Sequence, residues 1–262
     1  MFDNLRNRVS YQLARRKYAP VIEIQDSTEL VRLGTDCGGW VFEPTPDLQD
    51  SVIVSCGLGE DASFDVEFAS RFCAKIIVVD PTPRAIHHFE GIQGRLGQRA
   101  IQSYVKRGRQ PLESYDLRRI TGDSLILEPS ALWVENTRLK FFAPSNPSGV
   151  SYSLINYQND YSQETTHIEV ASITLEALFK KYHLHTVPLI KLDIEGAEIR
   201  VIRYMVEKSM YVRQLLVEFD EMNSPSDRSK QNVEDTDRLL RHVGYSCRYF
   251  DGHANFLYVL RS

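Results

Sequence analysis

Five short apolar runs, each closed by polar or glycine-rich residues, dominate the hydrophobic pattern of the chain. They lack the strict alternation of half-buried strands and are typical of strands buried on both faces of a parallel sheet. In chain order the runs are "SVIVSCGLGED" (51–61), "KIIVVDPTP" (75–83), "SLILEPSALW" (124–133), "PLIKLDIEG" (188–196) and "RQLLVEFDE" (213–221). The pattern therefore predicts five buried strands of one sheet.

Helical spacing of apolar residues follows three of these runs. After the first run Phe64, Phe68 and Phe72 recur at every fourth position, and similar patterns fill residues 84–97 and 196–209. Strands that alternate with helices predict a doubly wound, Rossmann-like α/β sheet that is mostly parallel.

The two ends of the chain depart from this alternation. Residues 245–261 hold two β-rich runs around "DGHAN", which predicts a C-terminal antiparallel hairpin. Residues 1–30 are predicted to be an N-terminal extension with a helix, and residues 31–262 to form the α/β domain. Residues 103–123 are polar and basic, and we expect a loop or irregular helix that covers the sheet edge.

Composition and charge narrow the class of protein. The chain is 42% hydrophobic and 25% charged with a net charge of −4, so it suits a globular protein and not general nucleic-acid binding. No apolar run approaches the roughly 20 residues of a membrane-spanning helix, and no secretory signal is apparent. The four cysteines include no C-x-x-C pair, which argues against a disulfide framework. A cytoplasmic protein without a transmembrane segment is predicted.

Basic residues crowd the first 17 positions of the chain. With Leu5, Val9 and Leu13 they have the spacing of an amphipathic helix. The preferred interpretation is a solvated helix packed on the domain, because the apolar face is modest. Contact with a membrane surface through residues 1–18 is the alternative.

The first run ends in the glycine loop "GLGEDA", which fits the dinucleotide fingerprint G-x-G-x-x-A with Asp80 downstream. A nicotinamide dinucleotide would rest its pyrophosphate on the helix N-terminus, where Glu60 and Asp61 would repel it. S-adenosylmethionine carries a sulfonium and an ammonium group and no phosphate. The acidic turn therefore favours S-adenosylmethionine as the cofactor.

Five longer strings of the sequence carry a family resemblance. "VIVSCGLGEDASFDVEF", "VVDPTPRAI", "ALWVENTRLKFFAPSNPSGVSYSL", "LIKLDIEGAE" and "LLVEFDE" resemble the FkbM-type methyltransferases, in order from about Gly38 to the C-terminal hairpin. The resemblance implies a class I methyltransferase domain over residues 31–262, with strand order 3-2-1-4-5-7-6. It also implies S-adenosylmethionine as cofactor and a hydroxyl acceptor on a sugar or natural product.

The resemblance further implies which residues hold the cofactor. The glycine loop should hold its methionine part, Asp80 its ribose and Asp193 its sulfonium or ammonium group, with Ser130 and Ala131 near adenine. The predicted cofactor-binding residues are Ser55, Cys56, Gly57, Gly59, Asp61, Asp80, Pro81, Thr82, Ser130, Ala131 and Asp193.

A hydroxyl acceptor must lose a proton during methyl transfer, which calls for a general base. Glu195 is the preferred candidate because it lies nearest the end of its strand. Glu198 would share a helix face with Glu195 if the helix begins near Asp193, and Asp220 is a third candidate. Three histidines that we expect to be surface or packing residues are His87, His88 and His167.

A magnesium site is a less favoured alternative. Asp193, Glu218 and Asp220 end strands that should be neighbours, and their carboxylates could hold Mg²⁺ and lower the pKa of the acceptor. The preferred interpretation has no metal, and no His or Cys set has the spacing of a zinc site.

Residues 141–163 are rich in Pro, Ser, Asn and Tyr and separate the third and fourth runs. Tyr152, Asn156 and Tyr157 are predicted to bind a polyhydroxylated small-molecule acceptor by stacking and hydrogen bonds; a surface loop without a role is equally open.

The sequence as a whole predicts an S-adenosylmethionine-dependent O-methyltransferase. The alternatives are an NAD-dependent oxidoreductase that uses the "GLGEDA" loop and a catalytically inactive methyltransferase-like binding domain.

Overall fold

The structure is a computed structural model that describes residues 11–27, 29–142 and 166–261. Its strands are β1 (Val31–Leu33), β2 (Trp40–Phe42), β3 (Val52–Cys56), β4 (Lys75–Val79), β5 (Leu125–Glu128), β6 (Ala131–Leu132), β7 (Arg138–Phe142), β8 (His167–Ile173), β9 (Leu189–Leu192), β10 (Gln214–Glu218), β11 (Tyr245–Phe250) and β12 (Asn255–Leu260). Its α-helices are α1 (11–17), α2 (Ser63–Phe72), α3 (Pro83–Gln93), α4 (Leu175–Lys181), α5 (Glu198–Glu207) and α6 (Asp227–His242).

Seven strands form the central sheet in the order β11-β12-β10-β9-β3-β4-β5. Within this sheet β10, β9, β3, β4 and β5 run parallel to one another. β12 lies between β10 and β11 and runs antiparallel to both. This is the order 3-2-1-4-5-7-6 that the resemblance implied, with the C-terminal hairpin in the expected place. The class I methyltransferase fold is therefore confirmed.

Both faces of the central sheet are covered by apolar side chains. Val54 and Ile190 belong to one buried cluster, whereas their strand neighbours Ile53 and Leu189 belong to the other. Successive side chains of a strand point to opposite faces, so continuous apolar runs serve both clusters.

We had predicted that the third apolar run forms one strand, and this prediction was wrong. β5 ends at Glu128, and Ala131–Leu132 pairs instead with β8 in a separate sheet of order β6-β8-β7. Pro129 lacks the N–H that a continuing ladder needs, and the amide of Ser130 turns back to the carbonyl of Glu128 at 2.8 Å. The break brings β6 over the end of the central sheet.

The segment between α3 and β5 is largely irregular, as expected for residues 103–123. It contains one short 3-10 helix, Leu112–Ser114, and buries Tyr115, Leu117 and Ile120 in the core. These buried residues hold the polar segment against the domain.

The N-terminal segment lies against α6 and β11. The amide of Gln25 donates to the carbonyl of Cys247 at 2.8 Å, and Arg241 bonds to the carboxylate of Glu23 at 3.0 Å. α1 leaves Leu13 60% exposed, and residues 1–10 of the predicted basic helix lie outside the described residues. In the part of the chain that the structure describes, no helix combines the length and apolarity needed to cross a bilayer.

Candidate active site

A cavity of about 250 Å³ opens where β3, β4 and β9 end. Ligands of open α/β sheets bind outside the carboxyl ends of the strands, at the point where the strand order reverses. The lining of this cavity combines the carboxyl residues Asp61, Asp80, Asp193 and Glu195 with large apolar side chains. Apolar residues of the lining include Trp40, Val79, Leu132, Phe141 and Ile194.

Gly57 brings two loops of the site into backbone contact. Its φ of +83° lies in the left-handed region, and a Cβ atom here would stand 1.8 Å from the carbonyl oxygen of Asp193. Only glycine accepts both conditions. The glycine loop after β3 therefore packs directly on the loop after β9.

Asp80 clamps the glycine loop. One oxygen of its carboxylate accepts from the amides of Leu58 (2.9 Å) and Gly59 (3.0 Å). The other accepts from the amide (2.9 Å) and the hydroxyl (2.7 Å) of Thr82. Four donors fill the acceptor positions of one carboxylate, so Asp80 fixes the loop from the neighbouring strand end.

The amides at the start of α2 are already bonded. The amide of Ala62 donates to the Tyr115 hydroxyl at 3.0 Å, and the amide of Ser63 donates to the Asp61 carboxylate at 3.0 Å. Together with the two amides bound by Asp80, these are the donors that would cradle a pyrophosphate. The geometry therefore gives no support to the nicotinamide alternative.

Glu60 does not repel anions in the way that the sequence suggested. It is 7% exposed, and its carboxylate lies 2.8 Å from Arg84 and 3.8 Å from Arg109. The two guanidinium groups balance its charge. The acidity of this turn thus comes from Asp61, whose carboxylate also accepts from the Thr35 hydroxyl at 2.7 Å.

The loop after β9 separates the two glutamates. α5 begins at Glu198 and not near Asp193, so Glu195 and Glu198 do not share a helix face, which corrects our expectation. Glu195 lines the cavity with a left-handed φ of +54°. Non-glycine residues rarely adopt this conformation, and they concentrate at functional sites when they do.

Glu198 is fully buried and lies outside the lining. Its carboxyl accepts from the amides of Ile194 at 2.8 Å and Gly196 at 3.0 Å, which fixes the turn in front of its own helix. Burial and the nearby Glu221 raise the pKa of Glu198 well above its ordinary value. The Glu198 carboxyl therefore supports the turn before α5 and does not face the cavity.

Three carboxyls were the candidate magnesium ligands. Asp193 lines the cavity half-buried, and its partial removal from water raises its pKa, with Asp220 adding to the shift and Lys191 opposing it. Burial and Asp193 raise the pKa of Glu218. Asp220 is buried outside the lining and accepts from Asn223 at 3.0 Å. Among the described residues no three His, Cys, Asp or Glu side chains converge as a metal site, so the magnesium alternative gains no support.

The structure gathers most, but not all, of the predicted cofactor residues. Ser55 and Cys56 are fully buried in β3, where burial raises the pKa of the Cys56 thiol to about 12. The hydroxyl of Ser130 bonds to Glu128 at 2.7 Å. These three lie outside the lining, whereas eight line the cavity: Gly57, Gly59, Asp61, Asp80, Pro81, Thr82, Ala131 and Asp193.

None of the three histidines lines the cavity. His87 and His167 are exposed. His88 is buried, with a ring nitrogen 2.8 Å from the Tyr115 hydroxyl, and burial lowers its pKa to about 4. The predicted acceptor residues Tyr152, Asn156 and Tyr157 lie outside the described residues.

Several lining residues escaped the sequence reasoning, above all Lys191, Trp40 and Arg109. Lys191 carried a readable signal, because it is the one charged residue within the apolar run "LIKL" of the fourth strand. Trp40 lies in "GGWVF", where the family resemblance begins, and Arg109 lies in a segment without a motif; only the folded chain brings both to the strand ends.

Most of the chain matches a known protein family. Residues 18–247 match the sequence model of the methyltransferase FkbM domain, which covers most of the chain. The chain belongs to the FkbM methyltransferase family. This membership implies the use of S-adenosylmethionine. No curated protein sequence matches this FkbM-family chain.

Solved structures resemble this FkbM-family chain only distantly. The fibrillarin pre-rRNA processing protein of Methanococcus jannaschii is 8% identical, with a TM-score of 0.40 over 92% of this chain and 86% of that one. An rRNA methylase from Streptococcus thermophilus is 12% identical, with a TM-score of 0.38 over 82% and 90%. The antibiotic-resistance methyltransferase Kmr is 13% identical, with a TM-score of 0.34 over 88% and 100%. Similarities this low carry no argument, and the fold assignment rests on the strand order.

Proposed function

We propose that this FkbM-family methyltransferase transfers a methyl group from S-adenosylmethionine to a hydroxyl oxygen of a small, polyhydroxylated acceptor. The observation that supports this proposal is the cavity at the ends of β3, β4 and β9, lined by five carboxyl residues beside large apolar side chains.

The lining fits the cofactor that the family implies. When bound, S-adenosylmethionine supplies an electrophilic methyl group on a sulfonium. The carboxylates of Asp61 and Asp193 are suited to cationic groups, and Asp80 would accept from a ribose hydroxyl in exchange for one of its present donors. Val79 and Leu132 offer apolar surface to the adenine ring of the cofactor. Glu60 also lines the cavity, but Arg84 and Arg109 balance its charge.

Glu195 is our proposed general base. Among the three predicted candidates it lines the cavity, whereas Glu198 and Asp220 do not. In the proposed reaction the acceptor oxygen forms its bond to the methyl carbon as the methyl–sulfur bond breaks, and the hydroxyl proton passes to the Glu195 carboxylate. Because no new anion has to be stabilised at sulfur, orientation of the acceptor and removal of its proton are the tasks left to the protein.

Calorimetry with the purified full chain tests the cofactor half of this proposal. We expect S-adenosylmethionine and S-adenosylhomocysteine to bind with dissociation constants of roughly 1 μM to 1 mM, the usual range for enzyme ligands. NAD⁺ serves as the control and should give no heat of binding, because the amides that would hold its pyrophosphate are bonded within the protein. Absence of binding by both S-adenosyl compounds would rule out the proposal.

A second measurement tests the acceptor half. Transfer of a labelled methyl group to a panel of polyhydroxylated compounds should give a base-stable ether. A base-labile methyl ester would instead identify a carboxylate acceptor and contradict the hydroxyl assignment.

A further inference from the structure

Lys191 is a charged residue at the heart of an apolar strand. It lies between Ile190 and Leu192, both fully buried, and is itself only 4% exposed. A buried ammonium group is costly unless its donors are bonded and its charge is balanced. The contacts of this group therefore indicate why the chain keeps a lysine here.

Two of the three donors of Lys191 have acceptors in the protein. Its Nζ donates to the carbonyl of Cys56 at 3.1 Å and to the carbonyl of Gly57. Within the described residues these are its two hydrogen-bond acceptors, and an ammonium carries three donors. Lys191 also lines the cavity, so one donor remains for a group bound there.

A carboxylate of the cavity lining stands next to Lys191 but does not bond to it. Nζ lies 3.9 Å from a carboxylate oxygen of Asp193, beyond hydrogen-bond distance, and 5.4 Å from the ring centre of Trp40. Asp193 follows two positions later on the same chain and lines the same cavity. A cation and an anion thus stand side by side at the base of the glycine loop.

An α-amino acid carries the complementary arrangement, a carboxylate and an ammonium group on one carbon atom. We propose that Lys191 and Asp193 together recognise the amino acid end of the cofactor, Lys191 binding its carboxylate and Asp193 its ammonium group. This inference rests on the proposed use of S-adenosylmethionine. Lys191 would then be a binding residue that selects the intact cofactor over fragments that lack the amino acid.

The test compares two ligands that differ by one carboxylate: S-adenosylhomocysteine and its decarboxylated analogue, S-adenosyl-thiopropylamine. Charge-assisted hydrogen bonds predict that the wild-type chain prefers S-adenosylhomocysteine by about 10- to 100-fold in calorimetry. Lys191→Met should remove this preference by weakening S-adenosylhomocysteine alone, with the affinity for the decarboxylated analogue unchanged. Retained binding of the analogue also shows that the variant is folded.

Arg109 offers a matched control, because it is the other basic residue of the lining. Arg109→Met should keep the wild-type preference for the carboxylate. Should Lys191→Met fail to fold, Lys191→Arg keeps the cation and should retain a preference, and the wild-type comparison needs no variant.

Other results would overturn the inference. Equal affinity of the wild-type chain for both ligands would exclude a carboxylate subsite. Equal weakening of both ligands by Lys191→Met, in a folded variant, would leave Lys191 as a support for the glycine loop. Loss of the preference in Arg109→Met would assign the carboxylate to Arg109. If the wild-type chain binds neither ligand, the proposed function itself fails, and this inference falls with it.

Discussion

Two loops meet at the cavity, residues 57–62 after β3 and residues 193–197 after β9. The first is held from outside, because Asp80, Tyr115 and Thr35 bond to it from other parts of the chain. The second is held mainly by a neighbour in sequence, because Glu198 of the following helix bonds to its amides, and the Asp193 amide adds a bond to the carbonyl of Cys56 at 3.2 Å. Loops with similar positions and similar acidity thus depend on contacts of different range.

The same difference divides the two glutamates of the second loop. Glu195 and Glu198 are three residues apart, yet Glu195 lines the cavity and Glu198 is buried under the turn. The start of α5 at Glu198 produces this division, because it leaves Glu195 in a left-handed turn. Three predictions test whether one glutamate serves chemistry and the other serves the fold.

The largest effect is expected at Glu195. Glu195→Gln keeps the shape of the side chain but cannot accept a proton, so we expect kcat to fall by about 10²- to 10⁴-fold. The free energy of unfolding should stay within about 0.5 kcal/mol of wild type, since Glu195 lies at the cavity and not in the core. Steady-state kinetics and urea denaturation measure the two quantities. Wild-type kcat in this variant would show that another group takes the proton.

The next effect is expected at Glu198 and concerns stability. Glu198→Ala leaves the half-buried amide of Ile194 and the buried amide of Gly196 without their acceptor, and an unsatisfied buried group costs about 1–3 kcal/mol. We therefore expect the free energy of unfolding to fall by about 2–5 kcal/mol in urea denaturation. Glu176, an exposed glutamate in the first turn of α4, provides the control. A Glu198→Ala variant as stable as Glu176→Ala would contradict the structural assignment.

The smallest effect is a change in pH dependence. Burial and Glu221 raise the folded-state pKa of Glu198 above its unfolded value, so folding favours the protonated form. The corresponding stability is complete below the unfolded pKa of roughly 4.3 and is lost as pH rises through the folded pKa, by at most about 1.4 kcal/mol per pH unit. Glu198→Gln keeps a carbonyl acceptor without a charge and should reduce this loss.

Glu176→Gln, at the exposed glutamate of α4, is the comparator for the pH measurement, and denaturation across a pH series should give it a wild-type slope. Asp193 and Glu218 also have raised pKa values, so they too lower the stability as pH rises. The slope of the free energy of unfolding against pH should therefore be smaller in Glu198→Gln but not zero. Parallel curves for wild type and Glu198→Gln would show that Glu198 titrates alike in both states.

Most of the fold could be predicted from the apolar runs and the longer motifs. Strands β3, β4, β9 and β10 lie within four of the five predicted runs, because strands buried on both faces leave an uninterrupted signal. The third run misled because it is apolar on both sides of Pro129, and only the pairing of β6 with β8 shows that it divides. Short strands such as β7, with a half-exposed pattern, gave no comparable signal.

The site was less readable than the fold. Gly57, Asp80 and Asp193 follow directly from strand ends, which a linear pattern marks well. The balance of Glu60 by Arg84 and Arg109 depends on side chains from other segments, so its charge was misjudged from the sequence. The start of a helix depends on where its first amides find acceptors. α5 begins at Glu198, several residues after the start near Asp193 that we had considered.

Asp80 gives a final consequence for ligand affinity. Its carboxylate is a saturated acceptor with four donors from Leu58, Gly59 and Thr82. A ribose hydroxyl that bonds to Asp80 therefore replaces an existing partner, so binding at this point is an exchange and adds little net hydrogen bonding. Under the proposed function, nucleoside affinity would depend on how readily Thr82 gives up the Asp80 carboxylate while the amides of Leu58 and Gly59 stay bonded.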